Sequence, residues 1–357
     1  DGPAWDALFD SHPDSPPRQA LPVARLDLSA RAPLPLNAIT ADDAGRRVGA
    51  KAAQLAELSR RYPQQVSAAL ALPFGAFREL LEQPMAADGR SALAWFQSEY
   101  AGLNALPADD PRRARRLSAA LARMRQFVRE APLPAGLEPA LRRQMRASFG
   151  ADGGYGVFVR SDTNAEDLPG FSGAGLNRTV PHVVGEDAVL RALREVWASA
   201  YAERAFAWRA RHLSNPEQVM VSVLLHRSVP ADKSGVLITT DAAGGRPGLL
   251  TVAASEGVGG SVAGERAETL RIDPDAGTVQ LLSSATATEK RLLSPAGGVR
   301  REPASGAPRV LSTAQISTLI ALAETLPAQF PDLLATDADA FDVEFGFIDD
   351  SLQLFQI

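Results

Sequence analysis

Lys51 is the first residue whose type and position could do chemistry. It comes two residues after Gly49, at the start of AKAAQLAELSRRY, an Ala- and Leu-rich segment with high helix propensity. The first turn of a helix has unpaired backbone N–H groups and a positive dipole end, and both favour an anion. We therefore expect a phosphate group at Lys51. A surface lysine on an Ala-rich helix is an equally good interpretation, because the segment lacks the second glycine and the Ser/Thr of a GxxxxGK[ST] loop.

Arg160 is the second candidate for phosphate binding. It follows three apolar residues in the segment GVFVRS, so we expect it at the end of a β-strand. A guanidinium group donates paired hydrogen bonds to phosphate oxygens. Position alone favours a different interpretation, an ion pair with a neighbouring carboxylate at Asp162, Glu166 or Asp167.

A glycine-rich loop follows this strand. Residues 170–175 include three glycines, and Ser172 and Asn177 supply a hydroxyl and an amide. Because glycine lets a backbone approach a ligand closely, this loop is suited to covering a polyphosphate. A flexible surface loop explains the same composition equally well.

A carboxylate and an amide are predicted to meet near the end of the chain. The segments FDVEFGF and LQLFQ flank a turn centred on Asp350, which places Glu344 opposite Gln356 on the paired strand. Directly paired residues share one face of a sheet, so their side chains should lie together. Their oxygens suit Mg²⁺ that is shared with phosphates and water. Considered alone, the hairpin is better explained as the solvated polar face of a sheet edge.

The composition limits the class of protein. The chain has 357 residues, 45% of them apolar, so it can bury a large core in one large domain or two of ordinary size. Acidic and basic residues are intermixed and the net charge is -5, which disfavours a nucleic-acid partner. No apolar run is long enough to predict a membrane span. The chain has no cysteine, and its histidines lack zinc-ligand spacing. We interpret each of them as structural: His12, His182, His212 and His226.

Patterns along the chain predict an α+β protein in which helices precede most strands. Residues 1–40 are Pro-rich and should be extended, and helical spacing over residues 76–150 predicts a helical insert with Pro111 in a first turn. The other predicted elements are a helix over 187–212, strands at 219–225, 235–240 and 249–254, a loop at 292–308 and a helix from Thr313.

These segments resemble, in the same order, the N-terminal ATP-grasp domain of phosphoenolpyruvate synthase, pyruvate phosphate dikinase, glucan-water dikinase and rifampicin phosphotransferase. RVGAKAAQLAEL is similar to the family's GGKAANLGEL, and VRSDTNAEDLPGFSGAGLN to its VRSSATAEDL block and phosphate-covering loop. SGVLITTD resembles its SGVxFTxD strand, and DVEFGFIDDSLQLFQ its DIEW hairpin, which ends in Gln. The resemblance covers residues 45–356 and is specific because several segments are collinear.

The resemblance implies a two-lobed ATP-grasp fold that clamps Mg-ATP. It implies an N-terminal extension over residues 1–40, a first lobe with the helical insert over 41–215 and a second lobe over 216–357. Lys51 and Arg160 would bind nucleotide phosphates and act in catalysis. The other implied binding residues are Gly173 and Gly175 of the lid loop, Thr179 beside it, Leu225, Arg227 and Val229 of the adenine hinge, and Glu344 and Gln356, which would also hold the metal.

The implied activity is that of a cytoplasmic, dikinase-type phosphotransferase, which passes a phosphoryl group from ATP to a histidine on another domain or partner. Two departures from the family pattern favour an alternative, a non-catalytic nucleotide-binding sensor or scaffold. Arg178 replaces a Glu before the lid threonine, and Gly260 ends GVGG in place of the acidic GLGE. A further departure lies in the hinge, where His226 begins HRSV in place of Gln-Arg-Met-Val. A carbohydrate-directed dikinase is a third interpretation, because the segment RSDTNAEDLPGFSGAGL looks closer to the glucan-dikinase variant of the motif.

Overall fold

The computed structural model describes residues 18–85, 87–107, 110–165, 167–168, 171–172, 178–242, 247–259, 266–333 and 340–357. It has an α+β fold, as the sequence predicted. The helices are α1 Ala50–Arg61, α2 Phe74–Leu81, α3 Ala92–Asn104, α4 Pro111–Glu130, α5 Leu137–Phe149, α6 Glu186–Ser199, α7 Glu203–His212 and α8 Thr313–Gln329. The strands are β1 Leu34–Pro35, β2 Ala69–Leu72, β3 Gly156–Thr163, β4 Asp167–Leu168, β5 Phe171–Ser172, β6 Thr179–Val184, β7 Val221–Arg227, β8 Lys233–Thr240, β9 Pro247–Glu256, β10 Glu268–Asp273, β11 Thr278–Ser283, β12 Glu289–Leu293, β13 Val299–Pro303, β14 Asp342–Ile348 and β15 Ser351–Gln356.

The first sheet has five strands in the order β1-β2-β7-β3-β6, and all neighbouring pairs are antiparallel. Successive side chains of a strand take opposite faces. Val157 and Val159 of β3 therefore enter a core shared with helices, whereas Phe158 and Arg160 line a cleft on the other face. Strand β7 belongs to this sheet although it follows residue 215, the predicted boundary between the two lobes. The division into lobes stays a prediction.

Helices α2 to α6 cover the first face of this sheet and share its core. The ring of Trp197 on α6 packs against Phe77 on α2, with centroids 5.5 Å apart. Four helices, α2 to α5, occupy the region predicted as a helical insert, and Pro111 is the first residue of α4. This prediction is confirmed.

The second sheet has six antiparallel strands in the order β11-β10-β9-β8-β14-β15. Its inner face packs on α8, where Leu319 and Leu326 join Phe345 and Phe347 in a second core. Leu224 of β7 belongs to the same core, as do buried residues of α1. The second face of the five-stranded sheet therefore lies against the six-stranded sheet.

The predicted loop at 292–308 is wrong, because part of it pairs as strands. β12 and β13 form an antiparallel ribbon in which Arg291 lies opposite Arg301. The ribbon's side chains are exposed or half-exposed. A strand without a buried face needs no alternation of apolar and polar residues, so its sequence carries no period-two signal.

The predicted single helix from Asp187 to His212 is also wrong, since α6 ends at Ser199 and α7 begins at Glu203. Tyr201 lies in the break and is buried edge-on against Phe96 of α3, with ring centroids 5.3 Å apart. Burial of this aromatic side chain outweighs the helix propensity of the surrounding alanines.

The described part of the N-terminal segment packs on the same chain. The Gln19 N–H donates to the carbonyl of His212 at 2.8 Å, and the Leu21 N–H donates to Asn215 Oδ1 at 2.9 Å. Strand β1 then pairs with β2 at the edge of the five-stranded sheet. In the described ranges, no helix combines the length and apolar character needed to cross a membrane.

Candidate functional site

A cleft of about 360 Å³ lies between the two sheets, a size typical of small-molecule sites. The five-stranded sheet contributes Phe158, Arg160, Thr179, Pro181, His226 and Arg227. The six-stranded sheet contributes Ser234, Gly235, Glu344, Phe345 and Phe355. The remaining lining residues are Val229, Ala231, Val258 and Gly259 from loops and Arg291 and Val299 from the ribbon. Three arginines and one glutamate on a largely apolar wall suit an anionic ligand with an apolar part.

Arg160 joins the two sheets across this cleft. Its Nη2 donates to Gln356 Oε1 at 2.8 Å and to Glu344 Oε2 at 3.3 Å. The side chains of Arg160 and Glu344 are 14% and 25% exposed, so water screens their attraction only partly. Among the described residues, the carboxylate paired with Arg160 is therefore Glu344 rather than Asp162. Three predicted site residues meet, although more than 180 residues separate Arg160 from the other two.

The β14–β15 hairpin holds Glu344 and Gln356 side by side, and their predicted direct pairing is confirmed. The turn itself consists of Asp349 and Asp350, so the predicted centre at Asp350 was slightly wrong. A β-bulge restores the pairing, because Phe355 is an extra residue on β15. Bulges redirect side chains, and Phe355 lines the cleft.

The anion at the start of α1 is a carboxylate of the protein. The helix predicted after Gly49 is confirmed and begins at Ala50. The Lys51 N–H donates to Asp162 Oδ1 at 3.1 Å, and the Ala52 N–H donates to Oδ2 at 3.0 Å. A Cβ at Gly49 would overlap this carboxylate, which is why glycine precedes the helix. Since Asp162 accepts from these two N–H groups, a phosphate contact of Lys51 would come from its half-buried side chain, and the phosphate-binding role of Lys51 stays a prediction.

Two of the three predicted hinge residues reach the cleft. Arg227 and Val229 line it, whereas Leu225 is buried in the core on the helical side of the sheet. The backbone N–H groups of Arg227 and Ser228 donate to carbonyls of the protein at 2.9 Å. Base contacts through the backbone would therefore fall to Val229 and to carbonyl oxygens.

The lid region is described only at its end. Thr179 lines the cleft and is the strand partner of Arg160. Gly173 and Gly175 lie outside the described residues, as does Gly260. Their predicted roles stay predictions.

His226 is a lining residue that the sequence interpretation treated as structural. It is 4% exposed, its ring lies edge-on to Phe355, and its buried Nε2 has no hydrogen-bond partner among the described residues. Burial, and secondarily the charge of Arg160, lowers the pKa of His226 to about 3. The imidazole is therefore neutral at physiological pH. Its position in HRSV, beside the hinge, was the signal available in the sequence.

Ser234 organises the glycine turn that follows β9. Its Oγ donates to the Gly257 carbonyl at 2.7 Å and accepts from the Gly259 N–H at 2.8 Å. Gly257 and Gly259 have φ angles of 76° and 68°, which favour glycine. The turn brings Val258 and Gly259 to the cleft. No pattern in the sequence marked Ser234, because its role depends on a turn more than 20 residues away.

Arg178 contacts α6 rather than the cleft. Its guanidinium forms an ion pair with Glu195 at 3.6 Å, and its backbone N–H donates to Ser199 Oγ at 3.2 Å. The side chain that replaces the family's glutamate is thus engaged with a helix.

The sequence matches the family described as the pyruvate phosphate dikinase AMP/ATP-binding domain over residues 45–357. The chain belongs to this family. The resemblance drawn from its motifs is confirmed, and the cleft with its bridging Arg160 lies inside the matched region. Membership identifies residues 45–357 as an AMP/ATP-binding domain.

The similar proteins are rifampicin phosphotransferases and phosphoenolpyruvate synthases. A rifampicin phosphotransferase of Streptomyces sviceus is 29% identical over 317 residues, which cover 87% of this chain and 33% of that protein. A phosphoenolpyruvate synthase of Pseudomonas aeruginosa is 32% identical over 223 residues, or 60% of this chain and 26% of the relative. One from Deinococcus radiodurans is 39% identical over 145 residues, covering 40% and 18%. This AMP/ATP-binding domain spans about a third of the length of its first relatives.

Proposed function

We propose that the cleft binds Mg-ATP between two ATP-grasp lobes and that the domain donates a phosphoryl group to a histidine on another domain or partner. The observation that carries this proposal is the contact of Arg160 with Glu344 and Gln356 in the cleft of an AMP/ATP-binding domain. Phosphoryl transfer depends mainly on positioning and on neutralising charge, and these three side chains supply both.

The metal-binding part of the proposal rests on oxygen donors. Glu344 and Gln356 offer a carboxylate and a carbonyl oxygen on neighbouring strands, which fits Mg²⁺ held by few protein ligands and by substrate phosphates. In the described residues no group of three or more His, Asp or Glu side chains forms a dedicated metal cage. Mg²⁺ would neutralise phosphate charge here, while Arg160 holds the two ligands in place.

The cations of the cleft account for the anionic part of the ligand. Arg160, Arg227 and Arg291 line it, and among the described lining residues the one carboxylate is Glu344. The apolar residues Phe158, Val258 and Phe355 form a wall suited to a base and sugar. We expect the phosphates near Arg160 and the base near Val229.

Titration calorimetry with Mg-ATP tests binding. The unmodified chain should bind with metal dependence, and Lys51→Ala and Glu344→Ala should each weaken binding at least about tenfold, as expected for lost contacts to charged groups. Glu324→Ala is the matched control, since Glu324 is an exposed carboxylate on α8 and does not line the cleft. Unchanged affinity in the Glu344 variant would contradict the proposed metal site.

The contact of Arg178 with Glu195 favours a second candidate, a nucleotide-binding module without turnover, because the family's acidic side chain is replaced by a cation that faces α6. The two functions differ in products. Release of AMP and phosphate by the protein together with a histidine-bearing domain supports phosphoryl donation, whereas tight Mg-ATP binding without products supports the module.

A further inference from the structure

The β12–β13 ribbon forms one side of the cleft. Arg291 of β12 and Val299 of β13 are lining residues, although the ribbon belongs to neither of the two large sheets. Its cationic and apolar contributions thus face the same ligand as Arg160.

The middle of β12 is attached to the glycine turn that follows β9 of the six-stranded sheet, and we call this attachment the root. The Val258 N–H donates to the Arg291 carbonyl at 2.9 Å, directly after β9. A Cβ at Gly257 would overlap the same carbonyl, so this attachment requires glycine at that position. The glycine turn therefore serves the ribbon as well as the cleft.

The tip of the ribbon is attached to the five-stranded sheet. The Gly298 N–H donates to the carbonyl of His182 on β6 at 2.7 Å. A Cβ at Gly297 would lie 3.8 Å from the Cβ of Val184, also on β6. Because root and tip bind different sheets, the ribbon spans the cleft from one sheet to the other.

The ribbon has few buried apolar contacts. The strands of the ribbon are exposed or half-exposed, and Val299 is 38% exposed. Segments with few buried apolar contacts open locally at low free-energy cost. Release of Gly298 from His182 would open the cleft at β6 while the root stays in place.

We propose that the ribbon is a cover for the nucleotide site, which holds Arg291 against the bound phosphates and opens at the His182 contact to exchange ligand. This inference rests on the proposed binding of Mg-ATP. It makes Arg291 a binding residue. It also makes release of the contact between Gly298 and His182 the step that limits exchange of the nucleotide.

A reversible cross-link tests the opening. The chain has no cysteine, so Val184→Cys with Gly297→Cys introduces one unique pair at a Cβ separation typical of disulfides. Stopped-flow measurement with a fluorescent ATP analogue and Mg²⁺ should show association and dissociation slowed at least about tenfold in the oxidised protein and restored by reductant. Equal rates in both redox states would overturn the gating role.

The single-cysteine variants Val184→Cys and Gly297→Cys control for strain and for oxidation elsewhere. Gly257→Ala is a second route if the disulfide does not form, because it displaces the ribbon root and should accelerate ligand release. Gly277→Ala introduces a similar positive-φ strain with no neighbour within 4 Å and should leave release unchanged. Equal release rates in the two alanine variants would also contradict the proposal.

Arg291→Ala tests the binding role separately. We expect about tenfold weaker Mg-ATP binding, whereas Arg301→Ala, which removes an exposed charge opposite it on the ribbon, should have little effect. Equal effects would assign the loss to net charge and overturn the role of Arg291. If the unmodified protein itself binds no Mg-ATP, the proposed function fails before the ribbon is tested.

Discussion

Two hairpins border the cleft, and they differ in how they are held. β14–β15 is part of the six-stranded sheet, and Val343, Phe345 and Leu354 are fully buried in its core. The side chains of the β12–β13 ribbon are exposed or half-exposed, and backbone hydrogen bonds attach it at its root and tip. The first hairpin can fix ligands for phosphates, whereas the second is suited to move.

Each hairpin also lies against a histidine of the five-stranded sheet. His226 contacts Phe355 of β15 edge-on, and the His182 carbonyl accepts from Gly298 at the ribbon tip. Burial lowers the pKa of both imidazoles. The sheet thus contacts both hairpins with the same residue type, and the two hairpins differ in how much of their surface is buried.

Truncation of the two hairpins should separate them most strongly. Phe345→Ala should lower the free energy of unfolding by about 3–5 kcal/mol, because the ring is fully buried. Leu292→Ala on the ribbon should cost less than about 1 kcal/mol, because Leu292 is half-exposed. Urea unfolding measures both values, and similar losses would remove the proposed contrast.

The second-largest effect is expected from acid, which should lower the free energy of unfolding through His226. Its pKa is about 3 in the folded protein against an ordinary value of 6.5, so the unfolded state binds the extra proton as pH falls. The contribution of neutral His226 to the free energy of unfolding is fully present above pH 6.5. Below that pH the free energy of unfolding should fall by up to about 1.4 kcal/mol per pH unit. In His226→Gln this part of the slope should disappear. Parallel pH profiles of unfolding free energy for the two proteins would contradict the assignment.

Within the fixed hairpin, Gln356 and Gln353 provide a matched pair. Gln356→Ala removes the acceptor of Arg160 and should weaken Mg-ATP binding about tenfold in calorimetry. Gln353→Ala changes a half-buried amide that bonds only locally, to Leu352, and should leave binding within about twofold. Equal losses would show that the hairpin acts through stability rather than through the Gln356 oxygen.

The smallest effect is expected at His182 under the ribbon tip. Burial lowers its pKa, so protonation again favours the unfolded state and stability should fall as pH drops below 6.5. His182→Asn keeps a residue that tolerates its φ of 45° and should flatten the pH profile, by less than His226→Gln does. If His182→Asn changed the pH dependence of the unfolding free energy more than His226→Gln does, this ordering of the two histidines would be contradicted.

The same contrast explains which parts could be predicted from sequence. Alternation in FDVEFGF reflects one buried face, and the turn at Asp349 and Asp350 brings LQLFQ beside it, so the pairing of Glu344 with Gln356 was predictable. The ribbon has no buried face, so its sequence predicted a loop. The break at Tyr201 was missed because local propensity says nothing about a ring that packs on a distant helix.

The family and the α+β class could be predicted from the amino-acid sequence, because they depend on local pattern and on collinear motifs. Only the tertiary structure decided which groups meet. It placed Arg160 on Glu344 and Gln356, gave the N–H groups of α1 to Asp162 and buried the neutral His226 beside them. Such contacts join residues more than a hundred positions apart, and only the packing of α1 and of the two sheets brings them within hydrogen-bonding distance.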